Sequence, residues 1–228
     1  MKANKTLKLI FPGKRYSIDR SLLYFLDKYI EGESIYFEYD SPRYLENSNS
    51  MDEILLDAYE FSKEILESKS FEEFSEIIVI AKSIGTYVAT RLRNEGLIKA
   101  KKFIILTPIN ETTNFLKQSD FIVSSLSDPY IDPLFLKSKA CYFPFLEIYN
   151  DLPHSLEYNN NFAKTFDLQK SIIDNAINYL DISYKDIVEW KTPQNPLFLI
   201  NFGFWGLKRW LKLFISFLNL IIFFLLEI

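Results

Sequence analysis

The sequence predicts an α/β fold, a mostly parallel six-stranded sheet with helices on both faces. Two observations carry this. Short apolar runs of strand length alternate with longer segments of helical period, the pattern of parallel strands joined by crossover helices. The connections then have a fixed right hand, which wraps helices over both sides of the sheet. At 228 residues the chain is long enough for one domain with a sizeable core.

The elements follow in order. Leu7–Phe11 is the first strand, followed by a turn at Pro12-Gly13. Ile18–Ile30 has helical spacing through Leu22, Leu23, Phe25, Leu26, Tyr29 and Ile30. Ser34–Tyr39 is a strand, Ser41–Asn49 a polar loop, and Met51–Ser68 a second helix marked by Ile54, Leu55, Ala58, Tyr59, Phe61, Ile65 and Leu66. Strand Ile77–Ala81 leads into helix Gly85–Asn94. Strands Lys102–Leu106, Phe121–Ser125 and Phe145–Tyr149 complete the sheet. Ile109–Ser119 is a connection placed to cover a pocket. Leu168–Leu180 closes the domain with Ile172, Ile173, Ala176 and Ile177 on one side.

Composition narrows the classes. A formal charge of −4, with no Lys/Arg stripe on a helix before residue 208, offers no footprint for nucleic acid. The lone Cys141 cannot form an intrachain disulfide, so a cytoplasmic location is expected, with Cys141 buried at the start of a strand. Met1–Lys5 runs straight into the first strand without a signal-peptide pattern. No Cys/His zinc spacing and no G-x-x-x-x-G-K-[ST] loop occur, and one histidine rules out a His-rich metal site. No cofactor or metal is expected.

That single histidine is informative by its position. Ala81-Lys82-Ser83-Ile84-Gly85 follows the apolar run Ile77–Ile80, and Ser127-Asp128-Pro129 follows Phe121–Val123. His154 comes shortly after Phe145–Tyr149. Taken singly, each has a plain structural reading: a strand–helix turn, a solvated Asp-Pro turn, a capping loop histidine. Together, Ser83, Asp128 and His154 fall in the order nucleophile, acid, base. A serine hydroxyl needs a base to take its proton and donors for the oxyanion it creates. A turn at Ser83 lifts the hydroxyl above the sheet and aims the Ile84 amide into the site. Asp128 can hold the His154 tautomer, and Asp132 is the rival carboxylate. The second oxyanion donor is expected from the loop after the first strand, where Gly13 permits a sharp turn and Lys14 or Arg15 offers an amide. Thr107 and Pro108 should border an acyl pocket walled by Tyr16 and Tyr130.

Over about Leu7 to Leu180 the chain resembles the α/β-hydrolase superfamily, specifically its small, lidless serine hydrolases. The resemblance is carried by Phe11–Gly13, Lys82-Ser83-Ile84-Gly85-Thr86, Ser127-Asp128-Pro129-Tyr130 and His154-Ser155-Leu156-Glu157. It implies an α/β-hydrolase fold and hydrolysis of a small or medium acyl ester or thioester through an acyl-enzyme, without a cofactor. Ala81 departs from the G-x-S-x-G pattern, a change that costs little if its φ stays negative. The alternative is a non-catalytic module of the same fold, recruited by its C-terminal segment; it predicts a misaligned or occluded site.

Lys191-Thr192-Pro193-Gln194-Asn195-Pro196 breaks the composition, dividing the chain into a domain over 1–190 and a linker with an apolar helix over 191–228. The apolar run Leu213–Leu226 is too short to span a bilayer untilted, which takes about 20 residues. Lys208, Lys212, Ser216 and Asn219 recur at helical intervals, giving a polar stripe about 100° wide. Segment 197–228 is expected to lie in a membrane interface, to anchor at a tilt on the inner face of a membrane, or to pack on protein, self-association included.

Overall fold

The computed structural model describes residues 5–39 and 50–182; the loop Ser41–Asn49 and the linker and apolar helix expected over 191–228 lie outside them. Strands β1 (Thr6–Phe11), β2 (Glu33–Tyr36), β3 (Glu76–Lys82), β4 (Lys102–Leu106), β5 (Phe121–Ser125) and β6 (Leu146–Tyr149) form one sheet in the order β2-β1-β3-β4-β5-β6. Every neighbouring pair is parallel, where the sequence predicted a mostly parallel sheet. Helices α1 (Ser21–Tyr29), α2 (Met51–Glu67), α3 (Ile84–Asn94) and α4 (Pro133–Lys139) lie in connections between strands, the 3₁₀ turn Asn110–Phe115 lies between β4 and β5, and α5 (Phe162–Leu180) follows β6.

Side chains alternate between two cores, as the two-residue period of a strand dictates. Leu9, Phe11, Val79, Ala81, Phe103 and Ile105 face α2 and α3. Ile10, Ile78, Ile80, Ile104 and Leu106 face α1 and α5. Each of these side chains larger than Ala81 contributes about 1.5–3 kcal/mol by leaving water, so the covered sheet dominates stability. The chain steps outward from β1 to β2, then crosses back to β3. This reversal makes the carboxyl ends of β1 and β3 the topological switch point, the place where open α/β sheets bind ligands.

Boundaries differ from expectation for identifiable reasons. α1 begins at Ser21 because residues 17–20 form a turn, with Arg20 N–H donating to Ser17 O at 3.2 Å. α5 begins at Phe162, six residues before the predicted start. Its first turn faces solvent, Phe162 being 84% exposed, so apolar spacing starts only at Leu168. The second strand ends at Tyr36, yet Phe37 still donates its N–H to Ile10 O and stacks on Phe11 at 4.0 Å. α4 was not expected. It buries only Leu136, too little to show a period, and its signal is the cap: Asp132 accepts from Leu134 N–H ahead of Pro133. Cys141 is exposed in the turn after α4, not buried at a strand start, because β6 opens only at Leu146.

Candidate active site

Ser83 sits between β3 and α3 with φ 55° and ψ −125°, a region that L-residues avoid, at a cost of about 1–3 kcal/mol. The surroundings hold it there. Its N–H donates to Leu106 O at 3.0 Å, and its carbonyl accepts from Thr86 N–H at 2.9 Å and Thr86 Oγ1 at 2.6 Å. Thr86 thus spends its proton on Ser83, so Thr112 donates in the 2.8 Å contact between the two threonines. Thr112 lies on a 3₁₀ turn, Asn110–Phe115, which braces the predicted covering connection against α3. Ser83 itself remains partly exposed.

The flanking small residues have unequal duties. A Cβ on Gly85 would run into the backbone carbonyls of Phe11 and Pro12, so α3 can approach β1 this closely only with glycine there. Ala81 is an ordinary extended residue of β3, fully buried, which explains why alanine is accepted in the first position.

His154 is held by the residues around it. Leu152 and Leu156 are buried in the core beneath α1 and α5 and pin the loop on either side. Leu152 N–H donates to Ser125 Oγ, tying that loop to the end of β5. Between these anchors His154 Nδ1 lies 2.7 Å from Asp128 Oδ2, and Nε2 lies 2.7 Å from Ser83 Oγ. The Asp128 side chain is fully buried and its Oδ1 accepts from Tyr130 N–H at 2.9 Å. An ionised carboxylate only accepts, so the imidazole proton sits on Nδ1 and Nε2 is left to accept from the serine. The rival Asp132 is committed to capping α4.

The other predicted residues fall around this line. Gly13 and Tyr16 close their loop through Gly13 N–H to Tyr16 O and Tyr16 N–H to Gly13 O. A Cβ on Gly13 would stand 3.0 Å from Ser83 Cβ and 3.6 Å from Oγ, so this loop, with Lys14 and Arg15 at its tip, lies against the serine. Ile84 contributes the first amide of α3, among those without an intrahelical partner. Tyr130 is 47% exposed and meets the His154 ring edge-on at 4.7 Å. Tyr16 is buried, its hydroxyl accepting from Leu22 N–H, and burial pushes its phenol up to about 12. Thr107 and Pro108 are buried as well, and what Thr107 meets is a lysine rather than open space.

That lysine, Lys82, was missed. Its Nζ donates to Thr107 Oγ1 at 2.7 Å and to the His154 carbonyl at 2.9 Å, and lies 4.6 Å from the centre of the Tyr16 ring. Strand alternation carried the signal. Ile78, Ile80 and residue 82 share the face covered by α1 and α5, where a lysine is out of place.

Among the described residues, no group of three or more His, Cys, Asp and Glu is placed to hold a metal ion. No helix among them is long and apolar enough to cross a membrane.

An all-parallel sheet with its switch point at β1 and β3, a strained strand-to-helix turn after β3, and loops from β5 and β6 converging on it make up the α/β-hydrolase fold. The sequence matches no family model and no curated protein. Solved structures do match. One is a protein put forward as a hydrolase of the alpha/beta superfamily, from Xanthomonas campestris pv. campestris. It is 13% identical over 76% of this chain and 99% of its own, with a TM-score of 0.53. An acetyl ester-xyloside bifunctional hydrolase from Caldicellulosiruptor lactoaceticus is 10% identical over 78% of this chain and 86% of that one, at 0.51. A protein predicted to be a CIB-like hydrolase, from Thermoplasma acidophilum, is 15% identical over 78% and 89%, at 0.50. At such identities the likeness establishes the fold alone.

Proposed function

We propose that this chain is a serine hydrolase that cleaves a small or medium acyl ester or thioester through an acyl-enzyme. The observation that carries this is the continuous line Asp128–His154–Ser83, with both of its hydrogen bonds at 2.7 Å. The non-catalytic alternative expects a misaligned or occluded site, and this one is aligned with its serine partly exposed.

In the proposed reaction Ser83 Oγ attacks the acyl carbonyl carbon while its proton passes to His154 Nε2. Asp128 stays ionised, holds the ring in orientation and stabilises the imidazolium as it forms. The oxyanion is received by the Ile84 N–H and by an amide at Lys14 or Arg15, donors fixed before the charge develops. Collapse of the tetrahedral intermediate breaks the bond to the alcohol or thiol, which leaves with the proton from Nε2. Water then attacks the acyl-serine and gives its proton to His154 Nε2; collapse of this second tetrahedral intermediate breaks the bond to Ser83 Oγ, which takes that proton back as the acid leaves. Tyr130 borders the place where the leaving group departs.

The test is hydrolysis of p-nitrophenyl acetate by the wild-type chain and by Ser83→Ala. Turnover by the wild type and none above background by a folded Ser83→Ala supports the proposal. Equal turnover by both removes it.

A further inference from the structure

Lys82 is more deeply enclosed than any other lysine among the described residues, with 0% of its surface exposed. It stands on the side of β3 that otherwise presents Ile78 and Ile80 to the core shared with α1 and α5. Taking an ammonium out of water costs several kcal/mol, and a well-packed aliphatic residue usually serves stability better at such a position. Burial pushes its pKa down from 10.5 to about 7, against the pull of Asp128 first and Glu157 second. The fold therefore carries a costly group directly beneath the candidate site.

Where its hydrogen bonds go is informative. One reaches Thr107 Oγ1, just past the end of β4. Thr107 is itself held at φ 45°, a conformation that β-branched residues rarely accept, and this bend turns its hydroxyl toward Lys82. The other reaches the carbonyl of His154. The third ammonium hydrogen is left for the face of Tyr16, a ring that attracts a cation. Lys82 thereby connects the frame of β3 and β4 to the backbone of the histidine itself.

We propose that Lys82 is a positioning residue of this site: by donating to Thr107 Oγ1 and to the His154 carbonyl, it fixes the histidine backbone over the end of β3 and so sets the approach of Nε2 to Ser83 Oγ. The inference rests on the assignment of Ser83, His154 and Asp128 made above. The charged and titratable groups facing Lys82 are Asp128 after β5, Glu157 and His154 after β6, and Tyr16 after β1. Two of them are carboxylates that hold the ammonium in its charged form. When Lys82 loses its proton, the amine keeps two donors but loses that attraction and its hold on the Tyr16 face. The tether is therefore firmest at low pH and loosens as pH rises through about 7.

Lys82→Met tests this, because methionine fills the slot without a donor or a charge. Three quantities are compared with wild type: the thermal midpoint, the rate of Ser83 labelling by a fluorophosphonate, and kcat and KM for p-nitrophenyl acetate between pH 6 and 9. The expected result is a midpoint equal or higher, labelling and kcat lower by about tenfold to a hundredfold, and KM within about twofold, since a misplacement near 1 Å costs rates of that order. The ratio of wild-type to variant kcat should shrink as pH rises through about 7. A purely structural lysine would instead lower the midpoint and give a pH-independent ratio. A folded Lys82→Met that is labelled at the wild-type rate overturns the proposal. If that variant does not fold, Lys82→Gln, which keeps a donor but no charge, decides by the same pH ratio: a constant ratio overturns it, and a declining one upholds it. Wild-type protein that is not labelled at all would remove the assignment of the site, and this inference with it. Labelled wild type with an unaffected variant removes the inference alone.

Discussion

His154 Nε2 lies 2.7 Å from Ser83 Oγ although 71 residues separate them in the chain. Two buried leucines, a lysine beneath and a buried carboxylate behind fix the imaginary line between those atoms. The contact is thus a product of the sheet, not of a local motif.

Asp128→Asn should reduce kcat about 10³–10⁴-fold with little change in KM. Asparagine can donate to Nδ1 and so hold the wrong tautomer, leaving Nε2 protonated and unable to accept from Ser83. Steady-state kinetics on p-nitrophenyl acetate checks this. A loss below about tenfold would show that the His154–Asp128 bond does not set the tautomer.

Gly85→Ala should cost about 1–3 kcal/mol of stability, because its Cβ meets two backbone carbonyls that cannot swing aside. Ala81→Gly, one strand residue on the other side of the serine, should cost only about 0.5–1 kcal/mol through strand flexibility. Urea denaturation of both variants measures the difference. A Gly85→Ala midpoint equal to wild type would mean that β1 and α3 approach less closely than described.

Asp120 accepts from Arg93 Nη1 at 2.5 Å and Arg93 Nη2 at 3.0 Å, and also from Lys117 N–H. Both side chains of this ion pair are buried. Asp120→Ala should destabilise by about 3–5 kcal/mol, chiefly by leaving the Arg93 charge buried without its partner. Thermal unfolding of the variant tests it, and a shift of a degree or less would contradict it.

Glu147 on β6 has its carboxyl pushed up from 4.5 to about 7 by burial, while Asn175 and Tyr149 donate to it. The folded state therefore holds this proton more tightly than the unfolded chain. The resulting stability is complete below about pH 4.5 and is lost as pH rises through about 7. Glu147→Gln should match wild type near pH 4 and exceed it at pH 8. Equal stability of the two proteins at pH 8 would show that the carboxylate is not penalised in the fold.

Much of this architecture was legible because parallel strands and their helices announce themselves by length and period. The Ser83 turn was legible from its place between the run Ile77–Ile80 and the periodic helix after it. Asp128 and His154 were legible as a pair only because the chain holds one histidine and its order in the sequence restricts the partners. What the sequence hid is long-range or short-lived in pattern. α4 turns too briefly to show a period, and the first turn of α5 faces water with Phe162. Lys82 looked like a variable position inside a motif, since nothing in a pentapeptide tells that residue 107 bends its hydroxyl toward it. Thr107 was expected to face an acyl group for the same reason.

The most direct measurement is reaction of the purified full chain with a fluorophosphonate probe, followed by mass spectrometric mapping of the modified residue. The proposed chemistry predicts one adduct, on Ser83, formed by wild type and lost in His154→Ala, since the serine is nucleophilic only while the imidazole accepts its proton. Folded wild-type protein that stays unmodified, or an adduct that forms equally without His154, would contradict it.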